Sequence, residues 1–270
     1  MQAIKKHWVS ALIGLFVLAF LYLPIVHVIV NAFNANKHMR VWGGFTLKWF
    51  QKTLTSADFY DAFRQSLTIA LCVTLLSVIV AVTAVIGIRS FSTKVRNVES
   101  TFMYIRLTLP VVILVVGIMI VISMIPGASL GPVWFVLVQS LIYSAYDMVI
   151  IQARLSTIAD RYENAAYDLG ATTWRVLKTV IFPLLAPSIF VGALLAFTFS
   201  LDAVVSVVFL GGPTTETLPI MIMSMIKRHV TPEVNAIGVI VMIFNMVILG
   251  ITASVIGVRN TVSAVAGEAE

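Results

Sequence analysis

Six long apolar runs constrain this sequence more than any other feature. Each covers about 20 residues or more, the length that an α-helix needs to cross the hydrocarbon core of a bilayer. Only two of the runs contain an ionised side chain, Asp147 in one and Asp202 in the other. The sequence therefore predicts an all-α polytopic membrane protein with six transmembrane helices, at residues 8–33, 66–88, 107–125, 133–152, 184–210 and 234–258.

Composition supports a single membrane domain over residues 1–270. Charged residues make up 11% of the chain, against about 25% in an average soluble domain, which is too few for a polar shell. The first run follows two lysines, as a signal peptide would. It is longer than the roughly 7–15 apolar residues of a signal peptide and has no A-x-A site, so we expect a retained anchor.

Basic residues predict the orientation. The loops on the side of the termini hold 11 Lys and Arg, and those on the other side hold 7. The side richer in Lys and Arg is normally cytoplasmic, so we expect both termini in the cytoplasm. The net charge of +6 is then explained by the lipid surface, without nucleic acid. A single cysteine and no ligand spacing of His or Cys predict neither a disulfide nor a metal site.

The segment 153–182, on the predicted cytoplasmic side, carries the most informative pattern. Alanines at 165 and 166 with Leu169 and Gly170 recur at helical spacing and predict a short helix. Gly170 is suited to end that helix, and Pro183 marks the entry to the fifth span. On these residues alone, a plain helical hairpin lying on the membrane surface remains an open alternative.

These residues resemble the "EAA" loop of ABC-importer permeases. The family pattern is Glu-Ala-Ala, three residues, Gly, about nine residues and an Ile-x-Leu-Pro-like end. Two positions depart from it: Asn164 stands where the family has Glu, although Glu163 precedes it, and Phe182 stands where the family has Leu. The resemblance implies a coupling helix that docks into a groove on a separate ATPase, with the residues Glu163, Asn164, Ala165, Ala166, Asp168, Gly170 and Pro183.

Further stretches resemble the second membrane subunit of spermidine/putrescine importers. They are Leu-Tyr-Leu-Pro at 21–24, the tryptophan-bounded stretch 42–50, Phe-Thr-Phe-Ser-Leu-Asp at 197–202 and Thr-Pro-Glu-Val-Asn-Ala at 231–236. This resemblance implies the type I (MetI-like) permease fold in a bacterial inner membrane. It also implies four kinds of partner: a second, different permease subunit, two ATP-binding subunits, an extracytoplasmic solute-binding protein and the lipid membrane.

Four residues are candidates for the solute pathway. An ionised residue within a span costs roughly 2.5–3.5 kcal/mol on insertion scales, so it usually has a functional reason. Asp202, in the outer half of the fifth span with Ser200 beside it, can hold an ammonium group. Asp147, in the inner half of the fourth span, is a possible gate, and Trp49 can hold an amine through a cation–π contact. Structural alternatives are a hydrogen-bonded Asp202, an Asp147 paired with a partner subunit and an interfacial Trp49.

The polyamine interpretation leaves two expected carboxylates missing. Members of the family often carry Pro-Asp where this chain has Pro110-Val111, and Asp-Asp where it has Asp202-Ala203. A solute with several positive charges needs several acceptors. The second permease subunit can supply them, or the solute is less cationic: an opine, an aminophosphonate, an amino-acid derivative or another small amine.

Missing motifs predict a non-enzymatic subunit. The sequence contains neither a G-x-x-x-x-G-K-[ST] phosphate loop nor a recognisable hydrolase motif. We therefore expect no cofactor on this chain, with ATP and Mg²⁺ on the partner ATPases. A secondary transporter is a weaker alternative because it predicts inverted repeats and usually more than six spans. A membrane scaffold is weaker still because it predicts no intramembrane carboxylates.

Overall fold

A computed structural model describes the backbone of residues 2–267 and the side chains of residues 8, 10–157 and 162–250. Within those limits the chain forms eleven α-helices and one π-helical turn. The predicted all-α class is confirmed. The helices are α1 Gln2–Ala32, α2 Lys48–Leu54, α3 Ala57–Ile88, α4 Thr93–Thr108, α5 Val111–Ser123, α6 Pro132–Asp168, α7 Thr173–Val176, α8 Phe182–Leu201, α9 Val204–Leu210, α10 Leu218–Arg228 and α11 Pro232–Gly267, with the π turn at Leu177–Ile181.

Five described segments are long and apolar enough to cross a membrane, and a bent pair of helices makes a sixth if it counts as one span. The five are Ser10–Ala32, Ala57–Ile88, Pro132–Thr157, Thr173–Leu201 and Pro232–Gly250. The predicted multi-pass helical architecture is confirmed. The predicted last span, 234–258, runs past residue 250, and its side chains beyond that point lie outside the described residues.

The third predicted span differs from the structure. A continuous helix over 107–125 is wrong, because α4 and α5 meet at a bend of 106°. The break falls at Leu109 and Pro110, which both have extended backbones. Proline cannot donate a helical hydrogen bond and disfavours a helical residue before it. At 1.5 Å per residue α5 is about 20 Å long, shorter than the roughly 30 Å hydrocarbon core.

The cytoplasmic segment and the fifth span also differ in detail. The short helix predicted around Ala165 to Gly170 is not a separate element, because α6 runs without interruption to Asp168. Pro183 lies in the first turn of α8, as expected for an entry, but helix already begins at Thr173 and passes through the π turn. At the other end, the predicted span 184–210 is interrupted at residues 202–203, between α8 and α9.

The chain divides into two compact units, and the prediction of one membrane domain stays a prediction. The first unit comprises Met1–Tyr60 and Met221–Ile248. Its buried centre consists of Ala32, Trp49, Ala236 and Val239. A salt bridge of 2.6 Å joins Lys52 to Glu233. Most side chains of α1 are exposed, which suits a helix that faces lipid or a partner.

The second unit, Asp61–Ile220 with Leu249–Glu270, contains the segments that carry the candidate site. Its centre is the antiparallel pair α6 and α8. Small residues at this interface allow the two backbones to approach closely: Ser144 and Ala145 on α6 and Gly192 and Ala196 on α8 are all buried. One apolar cluster lies around Phe135 and Leu210, and a second lies around Ile151 and Leu185, at the opposite end of the pair.

Candidate functional site

The C-terminal end of α6 closes in a tight, hydrogen-bonded turn. The Gly170 amide donates to the Tyr167 carbonyl (2.8 Å), and the Ala171 amide donates to the Ala166 carbonyl (3.1 Å). These two bonds form a Schellman motif, which places a left-handed residue just after the helix. Gly170 has a φ of +79°, a conformation that costs an L side chain roughly 1–2 kcal/mol. The prediction that Gly170 ends the helix is confirmed.

Glu163 connects this end of α6 to the end of α3. Its carboxylate pairs with the Arg89 guanidinium at 2.6 Å. The side chains are 14% and 29% exposed, respectively. A partly solvated pair contributes about 1 kcal/mol or less, so its main effect is to fix the orientation of the segment. Sequence analysis treated Arg89 only as a loop charge, because no local pattern links residues so far apart in the chain.

Bulky apolar side chains point outward around the turn. Leu169 is 89% exposed and Trp174 is 69% exposed. Ala166 packs partly against the cluster around Ile151. The other predicted coupling residues, Asn164, Ala165 and Asp168, are exposed. Large exposed apolar groups are typical of a protein interaction site, so the turn is suited to insert into a groove on a partner.

Asp147 lies between three helices of the second unit. Its Oδ2 accepts a hydrogen bond from the Ser77 hydroxyl of α3 at 2.8 Å, and both residues are fully buried. On the α8 side, a Cβ built on Gly192 would lie 2.9 Å from Asp147 Oδ1. Within the described part of the chain, Oδ1 has no hydrogen-bond partner. The carboxylate is closed off from solvent in this arrangement, and its predicted contact with solute stays a prediction.

Asp202 occupies the break between α8 and α9. The Val204 amide donates to the Asp202 carbonyl at 2.8 Å, and Ala203 between them has φ −78° and ψ 53°. This is an inverse γ-turn, which redirects the backbone and leaves the helix interrupted. The Asp202 side chain is exposed, whereas Ser200 is buried and its hydroxyl lacks a hydrogen-bond partner among the described residues.

Aromatic side chains lie beside this break. The Tyr143 hydroxyl donates to the Phe199 carbonyl at 3.0 Å. The Tyr146 ring meets the Phe199 ring edge-on at 5.5 Å. Asp202 follows Phe199 by three residues in the chain. A carboxylate next to aromatic rings is the chemistry that binds an amine, so this region of the second unit is the best candidate for solute contact.

Trp49 belongs to the first unit and is packed rather than open. It is 7% exposed, and its indole N–H donates to the Asn34 carbonyl at 2.8 Å. The nitrogen of Lys48 lies 5.8 Å from the centre of its ring. These contacts fit a structural role in α2, and the predicted contact of Trp49 with solute stays a prediction.

Comparison with protein families identifies the kind of protein. The sequence model of a family described as binding-protein-dependent transport system inner membrane component matches residues 74–260, more than half of the chain. The chain belongs to this family. Like other inner membrane components of such transport systems, it is therefore a multi-pass membrane permease subunit, in agreement with its apolar helices.

Curated relatives of this permease carry informative names. It is 32% identical, over 86% of its length and 90% of the relative's, to the spermidine/putrescine transport system permease protein PotC of Haemophilus influenzae. It is 31% identical to the putrescine transport system permease protein PotI of Escherichia coli, over 83% of this chain and 82% of the relative. It is also 27% identical, over 86% of this chain and 88% of the relative, to a candidate 2-aminoethylphosphonate transport system permease protein, PhnV, of Salmonella paratyphi A.

Solved structures share the fold of this permease. A bacterial ABC transporter involved in the import of the acidic polysaccharide alginate matches with a TM-score of 0.72 at 19% identity, covering 94% of this chain and 96% of that chain. The same kind of transporter, in complex with an alginate pentasaccharide-bound periplasmic protein, matches with a TM-score of 0.70 at 19% identity, covering 94% and 95%. At this identity the likeness supports the ABC-importer permease fold alone.

Three contacts of the site escaped sequence analysis. They are the Ser77 hydroxyl, the close approach of Gly192 to Asp147 and the pairing of Arg89 with Glu163. A small residue within an apolar span is a weak signal of close helix packing, and Gly192 carried that signal. For Ser77 and Arg89 the sequence alone offered none, because each meets its partner only through the tertiary fold.

Proposed function

We propose that the permease imports a small cationic solute, with spermidine and putrescine as the first candidates, and that partner ATPases drive the import. The observation that carries this proposal is the region around Asp202, where an exposed carboxylate follows Phe199 by three residues and the rings of Tyr143 and Tyr146 contact Phe199. The printed functions of the PotC and PotI relatives support the same solute class.

The turn after α6 is the proposed site of coupling to an ATPase. Leu169 and Trp174 would insert into a groove on the partner, and the Glu163–Arg89 pair would carry movement of the turn into α3. ATP and Mg²⁺ would bind to two partner subunits, and this chain would hold no cofactor. In this proposal the termini and the turn would lie in the cytoplasm, and the distribution of basic residues supports that orientation.

The rest of the assembly follows from the transport class. A second, different permease subunit would complete the pathway, and an extracytoplasmic protein would deliver the solute. Asp202 and Ser200 would meet the solute on the outer side. Asp147 would become accessible only when α6 and α8 separate, because it is fully buried between Ser77 and Gly192 now. Trp49 would contribute from the first unit if its packing opens.

A less cationic amine is the second candidate solute. Ala203 is buried in the apolar cluster around Phe135, and Val111 packs against the same cluster. Both residues are apolar at positions where polyamine permeases often carry carboxylates, so one acceptor, Asp202, remains in this region. The relative named for 2-aminoethylphosphonate transport supports a solute with a single amine.

ATPase activity of the reconstituted complex tests this proposal. The complex, with its binding protein, would be titrated with spermidine, putrescine and 2-aminoethylphosphonate. Stimulation by a polyamine in the parent, with the half-maximal concentration raised about tenfold or more in Asp202→Asn, supports the proposal, because a hydrogen bond to a charged group is worth about 1.5–3 kcal/mol. Stimulation by 2-aminoethylphosphonate alone would favour the second candidate. Stimulation by a polyamine with no effect of Asp202→Asn would remove Asp202 from the pathway.

A further inference from the structure

A cavity of about 620 Å³ lies in the second unit, and its lining includes Glu163 and Arg89 but neither Asp147 nor Asp202. The end of α3, the start of α4, the last turns of α6 and the α7–π segment surround it. Its volume lies within the range of roughly 300–1,000 Å³ that is typical of ligand pockets. The proposed coupling uses the Glu163–Arg89 pair of its lining and leaves the rest of this cavity without a role.

The lining of the cavity has a charged and polar part and an apolar part. Its polar part includes two arginines and several hydroxyl groups, namely Arg89, Arg96, Ser90, Ser156, Thr173 and Tyr167. Its apolar part includes the partly exposed side chains of Ile86, Ile88 and Leu177, with the buried side chains of Val85, Leu155, Val176 and Ile181 behind them. A ligand that fits both parts has an anionic head rich in oxygen atoms and a hydrocarbon tail.

The charge balance of the lining favours an anion. Arg89 is already paired with Glu163 at 2.6 Å, so these two side chains cancel. Arg96 makes no ion pair with any residue whose side chain the structure describes, and it lines the same cavity. Among the described lining residues, Arg96 is therefore the one guanidinium without a carboxylate partner, and guanidinium groups bind phosphate oxygens through pairs of parallel hydrogen bonds.

We propose that this cavity binds the phosphate headgroup of an anionic phospholipid, with an acyl chain along its apolar part. Basic pockets between transmembrane helices on the cytoplasmic side are suited to such headgroups. A soluble phosphate ester shares the headgroup chemistry but has no hydrocarbon to cover the apolar lining, which is why we favour the lipid. The assignment to the cytoplasmic leaflet rests on the proposed orientation; the phosphate chemistry does not.

Occupation of the cavity affects the proposed coupling turn. A phosphate near Arg96 would also attract Arg89 and would compete with Glu163 for it. Glu163 lies on the last turns of α6, so the anion would change how firmly this end of α6 is held to α3. The ATPase response of the complex is therefore expected to depend on the content of anionic lipid.

Photo-crosslinking of the full importer complex tests the site. The complex would be placed in nanodiscs of zwitterionic lipid that contain a crosslinkable phosphatidylglycerol, and the crosslinked peptides would be mapped. Salt of about 1 M shortens the Debye length to about 3 Å and suppresses attraction to exposed surface charges. We expect crosslinks at residues 85–96 or 173–181, reduced about tenfold in Arg96→Gln and by a smaller factor in Arg96→Lys, which keeps the charge but loses the paired hydrogen bonds.

Two further variants test whether crosslinking depends on the cavity itself. They distinguish this from an effect of positive charge on the helix and from an effect of misfolding. Lys94→Gln removes the same charge from the same helix, but Lys94 does not line the cavity; we expect a change of less than twofold. Ser156→Leu fills the cavity without changing its charge, and we expect a loss as large as that of Arg96→Gln.

Three results would overturn the proposal. One is crosslinking confined to other parts of the chain, and another is equal loss in Lys94→Gln and Arg96→Gln. The third is full protection by glycerol 3-phosphate at the concentration of the lipid, which would assign the cavity to a soluble phosphate ester. All three readouts measure binding, so they are independent of which solute the complex transports.

Discussion

The contact between Gly192 and Asp147 gives the sharpest mutational prediction. In Gly192→Ala the new methyl carbon would lie 2.9 Å from Asp147 Oδ1 and 3.4 Å from the Cα and Cγ atoms of Asp147. A carbon and an oxygen atom do not normally approach so closely, so the Asp147 carboxylate must turn away, which strains the hydrogen bond that it accepts from Ser77. Overpacking of this kind costs typically 1–3 kcal/mol, and we expect Gly192→Ala to lose that much stability.

Thermal unfolding of the purified complex measures this loss. At about 2–4 °C per kcal/mol for a domain of this size, a cost of about 2 kcal/mol lowers the midpoint by roughly 4–8 °C. The matched control is Gly117→Ala in α5, where no atom lies within 4 Å of the added methyl group. That control should keep or raise the midpoint, because alanine favours a helix over glycine by about 1 kcal/mol.

A double-mutant cycle identifies the clash as the cause. Asp147→Ala removes the oxygen that the new methyl group meets, so Asp147→Ala/Gly192→Ala should be more stable than the sum of the two single changes predicts, by about 1–3 kcal/mol. Additive effects, or a Gly192→Ala variant as stable as Gly117→Ala, would refute the packing of α6 on α8 described here.

Three further predictions concern the coupling turn. Glu163→Gln breaks the pair with Arg89 at 2.6 Å. We expect this change to lower solute-stimulated ATPase activity severalfold, while the free energy of unfolding falls by about 1 kcal/mol or less. Adding Arg89→Gln to Glu163→Gln should have no further effect on the activity. Gly170→Ala forces a side chain to a φ of +79°, and unfolding measurements should show a loss of about 1 kcal/mol that Gly170→Asn largely avoids. Trp174→Ala removes a side chain that is 69% exposed; it should weaken co-purification of the ATPase without changing the unfolding midpoint.

The helical membrane class was predictable because apolar length is a one-dimensional property. The apolar runs around Ala70 and Phe197 predict helices whatever these helices pack against. Gly170 predicts a helix end because glycine readily adopts a positive φ. The same reasoning missed the bend at Pro110. The apolar run 107–125 was predicted to be one span, although a proline inside such a run indicates a possible interruption of the helix.

The interior of the candidate site was less predictable, because it depends on which helices meet. Asp147 stood out in the sequence as a charge within a span, but nothing showed that Ser77 would donate to it. The sequence offers Trp49 as a cation–π partner for an amine or as an interfacial aromatic residue, and nothing in it indicates that the side chain is buried with its indole N–H donating to the Asn34 carbonyl. The inverse γ-turn at Ala203 interrupts the apolar run 184–210 in its last part, where residues 193–210 contain neither glycine nor proline, so no local backbone signal predicts it.

Uptake of labelled spermidine and putrescine into proteoliposomes tests the central claim most directly. The vesicles would contain the complete complex, with the binding protein on one side and ATP on the other. The account predicts accumulation that requires both ATP and the binding protein and that falls in Asp202→Asn. Accumulation that is driven by an ion gradient, without ATP or the binding protein, would contradict the assignment of this chain to an ATP-driven importer.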